Sequence, residues 1–153
     1  MNIQISRLTE KEEDFKKVVN FLLDNFVPEH RMGLLSASNL NLEKALKWVM
    51  HNIKEAAFVL EQDGKVIGSI GLNRTSPWYS DADYLTDGWL YVLPEYRKTG
   101  MAGMLLKAAK DYAENNNLPL IIGVFSKEEP ITKTSIMNKL GLTTVGGLFA
   151  AGV

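Results

Sequence analysis

The chain contains no cysteine. That excludes disulfides, thiolate zinc sites and a cysteine nucleophile, and it leaves no secreted scaffold, so a cytoplasmic location is expected. Histidine is nearly as scarce, with only His30 and His51 present. Neither has a matching carboxylate pattern, which points to surface or capping roles and to no metal site. Charge of one sign is lacking too: Lys plus Arg number 17 against 18 Asp plus Glu. The balance gives no reason to expect nucleic acid or an anionic membrane as partner, and any anion site must be local. No run approaches the roughly 18 apolar residues of a membrane span. Residues 1–9 alternate apolar and polar and do not read as a leader, so a soluble protein is expected. Neither a Walker-type phosphate loop nor a dinucleotide G-x-G-x-x-G occurs.

What is present is enough for one core. At 153 residues and 46% hydrophobic content, the chain can bury about two-thirds of its unfolded surface, and residues 1–153 are expected to form one domain. Ile3 and Ile5 alternate as a first strand, and Thr9 with Glu12 forms a capping-box start to a helix. That helix carries Phe15, Val18, Val19, Leu22, Leu23 and Phe26 on one stripe, with Pro28 as its stop. Residues 27–41 read as a loop or broken helix. Asn41 is placed to cap a helix over 42–52, with Leu42, Ala45, Leu46, Val49 and Ile53 buried and Trp48 off that stripe, flanking the core or a dimer contact.

Residues 57–61 and 65–72 read as a hairpin turned by Asp63-Gly64. A polar, aromatic loop over 73–83 precedes a strand over 84–93. From Gly100 the periodicity is helical, with Met101, Leu105, Ala108, Ala109 and Tyr112 on one face, until Asn115-Asn116-Asn117. An apolar strand over 119–125 follows, then a last helix from about Pro130 to Leu140 with Gly141 as its stop. Thr143-Thr144-Val145-Gly146 and Leu148-Phe149-Ala150 are expected as terminal strands.

One stretch carries chemistry. A strand ends at Leu90-Tyr91-Val92-Leu93-Pro94, the loop Glu95-Tyr96-Arg97-Lys98-Thr99-Gly100 follows, and Met101-Ala102-Gly103 opens a helix. The first turn of a helix offers unpaired N–H groups and a positive dipole end, and Gly100, Ala102 and Gly103 keep side chains out of a phosphate's way. Arg97 and Lys98 add local positive charge. The other reading of the same glycines is a tight turn with close helix packing.

The run Val92-x-Pro94-x-x-Arg97-x-x-Gly100-x-Ala102 resembles the cofactor motif of the GNAT superfamily of acyl-CoA-dependent N-acyltransferases. The expected order of elements over nearly the whole chain is similar to that family as well. The resemblance implies an α+β, three-layer fold, with a mixed, mostly antiparallel sheet of six to seven strands flanked by about four helices. It implies acetyl-CoA as co-substrate, with the amides of Lys98, Thr99, Gly100, Met101, Ala102 and Gly103 on the pyrophosphate after Arg97. Backbone near Leu90 and Val92 would pair with the pantetheine arm, freed by a bulge in the fourth strand.

The pattern also departs from the family. Where many members carry a tyrosine four residues before a Gly-Phe pair, this chain has Met137 before Gly141-Leu142, and methionine has no proton to give a leaving thiolate. A thiol of pKa about 8.5 leaves tolerably without help, and Ser135 or a water is the substitute considered; a solvent-facing helical serine is the other reading. An amine of pKa about 10 must lose a proton before it attacks. Asp87 is the candidate base, on the opposite strand face from Leu90 and Val92 unless a bulge intervenes, and Asp83 is the alternative. Either could be only a strand-edge charge.

The acceptor pocket is expected from residues 27–41 and from the loop holding Trp78, Tyr79, Asp81, Asp83 and Tyr84. Aromatics beside carboxylates suit a cationic amine, while packing of Trp78 and Tyr79 over the sheet edge is the competing reading. The leading expectation is an N-acetyltransferase of the EC 2.3.1 type, passing an acetyl group to a primary amine, small molecule or protein, by direct attack. A second is an inactive acyl-CoA-binding module acting as sensor or interaction partner, and a third an interaction protein without ligand. A homodimer is common among similar proteins, and the apolar residues 147–153 offer a strand edge to a second copy.

Overall fold

The computed structural model describes residues 2–29, 40–97, 99–123, 137–146 and 151. In chain order the strands and α-helices are β1 (Ile3–Arg7), α1 (Glu12–Phe21), α2 (Leu42–Glu55), β2 (Ala56–Gln62), β3 (Lys65–Thr75), β4 (Tyr84–Val92), α3 (Met101–Asn115) and β5 (Leu120–Ile121). A π-helical turn, Leu22–Phe26, extends α1, a 3-10 turn, Pro94–Tyr96, separates β4 from α3, and residues 137–139 form a fourth helical piece. The strands make one sheet in the order β1-β2-β3-β4-β5, antiparallel except for the parallel β4–β5 pair. This is the expected α+β architecture with five strands among the described residues in place of six to seven. Residues 143–146 form no strand, whereas 148–150, the end of the fifth expected strand and most of the last helix lie outside the described residues.

Local chemistry sets most boundaries. At the start of α1 the carboxylate of Asp14, not Glu12, reaches back to Thr9, accepting from its N–H and its hydroxyl at 2.8 Å each. Those bonds, the backbone one foremost, hold the Asp14 carboxyl below the usual aspartate range. The helix therefore begins two residues later than a Thr9–Glu12 box would place it. Asn41 caps α2 as expected, its Oδ1 accepting from Lys44 N–H at 3.0 Å. Asp63 (φ 50°) and Gly64 (φ 82°) turn the β2–β3 hairpin in the left-handed conformation that its tight connection needs. Both α3 and the last helical turn close with paired Schellman bonds. Leu118 N–H reaches Ala113 O and Asn117 N–H reaches Glu114 O, and Leu142 and Gly141 bond Met137 and Asn138 in the same way.

Pro28 is not a stop. Residues 27–29 remain helical, because the π-turn before them widens the backbone, with Val27 N–H bonding back to Leu22 O. A wider turn relieves the clash between a proline ring and the preceding carbonyls.

The core lies on both faces of β2–β4. Val59, Leu60, Ile67, Ile70, Leu72 and Leu85 are fully buried. On β3, Gly68 contacts Leu105 of α3 and Val92 of β4, whereas Gly71 contacts Trp89. Alternation thus puts α3 on one face and α1 with α2 on the other. Of the expected α2 stripe, Val49 and Ile53 are buried but Leu42 is exposed at the helix start. Glu55, at the end of α2, accepts from Arg74 Nε at 2.6 Å and from the Tyr112 hydroxyl at 2.5 Å, joining α2 to β3 and α3. Burial pushes its carboxyl up, yet those partners outweigh burial and hold it low. Among the described residues, no helix is long and apolar enough to cross a membrane.

A buried relay crosses this core. Trp89 Nε1 donates to Ser69 Oγ at 2.9 Å, and Ser69 Oγ donates to Phe58 O at 2.8 Å. Ser69→Ala removes the acceptor and strands the indole N–H, so it is expected to lower the free energy of unfolding by about 1–3 kcal/mol. Urea denaturation monitored by tryptophan fluorescence measures this.

Candidate functional site

The site is built where β4 and β5 part. Their parallel ladder pairs Leu85 with Leu120 and Thr86 with Ile121. On the other side of β4, pairing with β3 slips between Gly71/Trp89 and Leu72/Asp87, leaving Gly88 as an extra residue. The hydrogen bonds show what this bulge does. Leu85 N–H donates to Pro119 O at 2.8 Å, toward β5, and Leu93 N–H donates to Ile67 O at 2.9 Å, toward β3. Leu85 and Leu93 are an even number of residues apart, so in a regular strand both would face the same edge. One inserted residue inverts the alternation. Beyond Gly88 it is Leu90 and Val92 whose N–H and C=O groups turn to the edge that β5 has left, the two positions expected to meet the pantetheine arm.

The bulge also switches faces. Asp87 pairs with Leu72, Leu90 with Ile70 and Val92 with Gly68, and those β3 partners share the α3 face. Asp87 therefore lies on the same face as Leu90 and Val92. Its Oδ1 accepts from Gly123 N–H at 2.8 Å, bridging β4 to the chain just past β5. Burial pushes its carboxyl above the usual aspartate range, against the pull of that amide bond. Asp83, the alternative base, is exposed in the preceding loop.

The loop after β4 leads into a bare helix N-terminus. Gly100 stands at the N-cap of α3 with φ 83° and ψ 2°, and neither a capping side chain nor a first-turn acid covers the helix end. A Cβ at Gly100 would meet nothing within 4 Å, so glycine is there for its left-handed backbone and not for close packing. The N–H groups of Met101, Ala102 and Gly103 form the first turn, with its positive dipole end. Thr99 folds its hydroxyl back onto Tyr96 O. Lys98 and Ser135 lie outside the described residues. Met137 is partly buried against the core.

Arg97 has a different task from the one its charge suggests. Its Nε donates to Val92 O at 2.9 Å, and its Nη2 donates to Glu29 Oε2 at 2.9 Å. The guanidinium also lies 5.2 Å from the centroid of the Tyr91 ring. Tyr91 in turn donates its hydroxyl to Glu29 Oε2 at 2.5 Å. Burial, reinforced by Glu29, pushes that phenol up to about 12. Arg97 thus fixes the strand end against the helical residues after α1. Glu29, Tyr91 and Gly88 escape the sequence reading. Only Gly88, a glycine inside a strand pattern, carries a signal that could have found it.

On the acceptor side, Trp78 and Tyr79 do not pack over the sheet edge. They are 96% and 73% exposed, and their rings meet edge to face at 5.5 Å. Asp81 and Asp83 are exposed in the same loop, while residues 30–39, including His30, lie outside the described residues. His51 bonds Asn73 Oδ1 through Nε2 at 2.8 Å. Among the described residues no group of three or more His, Asp or Glu side chains could hold a metal ion.

The family model described as "Acetyltransferase (GNAT) family" matches residues 18–130. The chain belongs to the GNAT family. An uncharacterized N-acetyltransferase from Archaeoglobus fulgidus is 29% identical over 80 residues, which are 50% of this chain and 53% of that protein, so the match spans about half the relative's length. Among solved structures, an aminoglycoside acetyltransferase from an uncultured soil metagenomic sample, in complex with sisomicin, superposes with TM-score 0.69 at 17% identity, covering 99% of this chain and 96% of that one. The glucosamine-6-phosphate N-acetyltransferase of Arabidopsis thaliana superposes with TM-score 0.67 at 11% identity, covering 99% and 98%. At such identities the likeness is one of fold. The matched region takes in the β4 edge, the Gly100 turn and the start of α3, and it ends before Met137, the position expected to stand where many family members carry tyrosine.

The raised Asp87 carboxyl has a thermodynamic consequence. Folding binds its proton more tightly, so the contribution of Asp87 to stability is full below the unfolded aspartate value and is lost as pH rises through the folded value. Asp87→Asn keeps an oxygen for Gly123 N–H and cannot ionise. It is expected to be more stable than wild type at about pH 7 and to lose that advantage by about pH 3. Urea unfolding of both proteins at the two pH values checks the sign.

Proposed function

We propose that this GNAT protein transfers an acetyl group from acetyl-CoA to a primary amine by direct attack. The observation that carries the reading is that the β4 edge at Leu90 and Val92, unpaired by any strand among the described residues, leads through one short loop to the first turn of α3, which has no capping side chain. Acetyl-CoA needs both, an extended edge for its pantetheine amides and N–H donors for its pyrophosphate. Thr99, Gly100, Met101, Ala102 and Gly103 would cradle the phosphates together with Lys98. An amide at the open edge would polarise the thioester carbonyl as negative charge develops on its oxygen.

The chemistry needs only proton management from side chains. The amine nitrogen attacks the thioester carbon, a C–N bond forms, the C–S bond breaks, and coenzyme A leaves as thiolate. Asp87 is the proposed acceptor of the ammonium proton, directly or through water. Burial moves its carboxyl toward the range where a base is both ionised and effective. With Met137 in the tyrosine position, the thiolate is protonated by solvent or by Ser135. The acceptor is proposed to be cationic, drawn by Asp81 and Asp83 and by the exposed ring of Trp78. The soil enzyme's complex with the aminoglycoside sisomicin supports an amine of that kind. Met137 also favours one rival reading, a module that binds acyl-CoA without turning it over.

Acetyl-CoA at about 100 times its Kd should stabilise the fold by roughly 2.7 kcal/mol, read as a rise in thermal midpoint. Ala102→Glu places a carboxylate at the phosphate position while complementing the helix dipole. It should abolish that rise; because Ala102 is partly buried against the core, the rise is read against the variant's own ligand-free midpoint. No rise in the wild type would remove the proposal, and a rise without transfer to any amine in a panel would favour the binding module. Once an acceptor is found, Trp78→Ala and Asp81→Asn should each raise its KM about three- to tenfold with kcat little changed. Steady-state kinetics unchanged in both would exclude the cationic acceptor.

A further inference from the structure

Two side chains of α2 close on the extra residue of β4. Trp48 Nε1 donates to Gly88 O at 3.2 Å. One turn further on, Asn52 is fully buried, and its Nδ2 donates to Trp48 O at 2.8 Å. Asn52 Oδ1 has no hydrogen-bond partner among the described residues. It lies 2.1 Å from the place a Cβ on residue 88 would occupy. The Trp48 ring is itself held, stacked on His51 at 5.7 Å between centroids, and His51 is bonded to Asn73 of β3.

Core packing does not account for this arrangement. A buried amide whose oxygen has no hydrogen-bond partner among the described residues is less favourable than an apolar side chain of similar size. What the pair does supply is specificity of place. A bulge can in principle slide along its strand, since the ladder closes equally well on either side of it. Holding it at one residue requires contacts that only that residue satisfies. The Trp48 donor engages the carbonyl of Gly88, and Asn52 forms a wall that admits no Cβ there.

The position matters to the site. A bulge that slid toward Pro94, or was lost, would return the Leu90 amide to the β3 side. One that slid toward Tyr84 would carry Asp87 to the face of α1 and α2. We infer that Trp48 and Asn52 are positioning residues that lock the bulge at Gly88. Through it they determine which amides line the open edge and on which face Asp87 stands. The inference rests on the acetyl-CoA reading only for its ligand readout.

Two measurements test it: hydrogen exchange of backbone amides in the free protein, followed by NMR, and acetyl-CoA affinity by calorimetry. Gly88→Ala drives a methyl group into Asn52. It is expected to weaken acetyl-CoA binding at least about tenfold and to lower protection of the Trp89 and Tyr91 amides. Adding Asn52→Ala removes the obstruction and should restore both to within about threefold of wild type. Trp48→Phe keeps the ring and loses only the donor, and should weaken binding about fivefold. The inference is overturned if Gly88→Ala exchanges and binds as the wild type does, or if the double variant is no better than Gly88→Ala. Should Gly88→Ala not fold, Trp48→Phe decides on the same readouts, with unchanged exchange and affinity counting against the lock. Wild-type protein that does not bind acetyl-CoA would sink the acetyl-transfer reading alone, and amide exchange would then decide the inference by itself.

Discussion

The phase of β4, which sets the edge its amides address and the face on which Asp87 stands, traces to one inserted residue. A β-strand alternates strictly, in the face its side chains take and in the edge its amides address. Gly88 breaks both alternations at once. Upstream, β4 gives β5 the amide of Leu85. Downstream, the same edge carries the groups of Leu90 and Val92, and among the described residues no strand pairs with them there. An open edge in a buried sheet is costly unless something pairs with it. The Val92 carbonyl is met by Arg97 from within the chain, and the neighbouring amides form the surface at which an extended ligand would complete the sheet.

The motif arginine illustrates how a local charge is turned to a structural end. Arg97 bonds the last residue of β4, lies over Tyr91 and pairs with Glu29. Glu29 sits beyond the π-turn and Pro28, just before the residues from which an acceptor pocket is expected. The same contacts therefore tie the loop between β4 and α3 to the helical residues that follow α1. With the guanidinium engaged there, the proposed phosphate site would rest on the α3 dipole, its N–H groups and Lys98.

Much of this was legible in the chain before any fold. Asn41 as a cap, Asp63-Gly64 as a hairpin turn, Gly141 as a helix stop and Gly100 at the mouth of α3 are all read from backbone preferences that act over a few residues. Where local reading failed, a distant or competing partner had intervened. Asp14 took the capping role from Glu12, the π-turn carried the helix through Pro28, and Leu42 remained in solvent although its spacing matched the stripe. For Trp78 and Tyr79 the sequence left two readings open, and their exposure removes packing over the sheet edge, because aromatic character does not specify which surface a loop will present.

The sequence by itself determined the family and the α+β fold, and it marked the stretch from Val92 to Gly103 as the candidate anion site. Those depend on periodicity, turn chemistry and a contiguous motif, and all three are written along the chain. Tertiary structure alone decided the phase of β4, the face on which Asp87 stands and the partners of Arg97. Each of these depends on residues far apart in sequence: Gly88 against Trp48 and Asn52, Asp87 against Gly123, and Arg97 against Glu29. The parity of a strand is a single unit of register, and no local propensity records it; only the helix packed against that strand can.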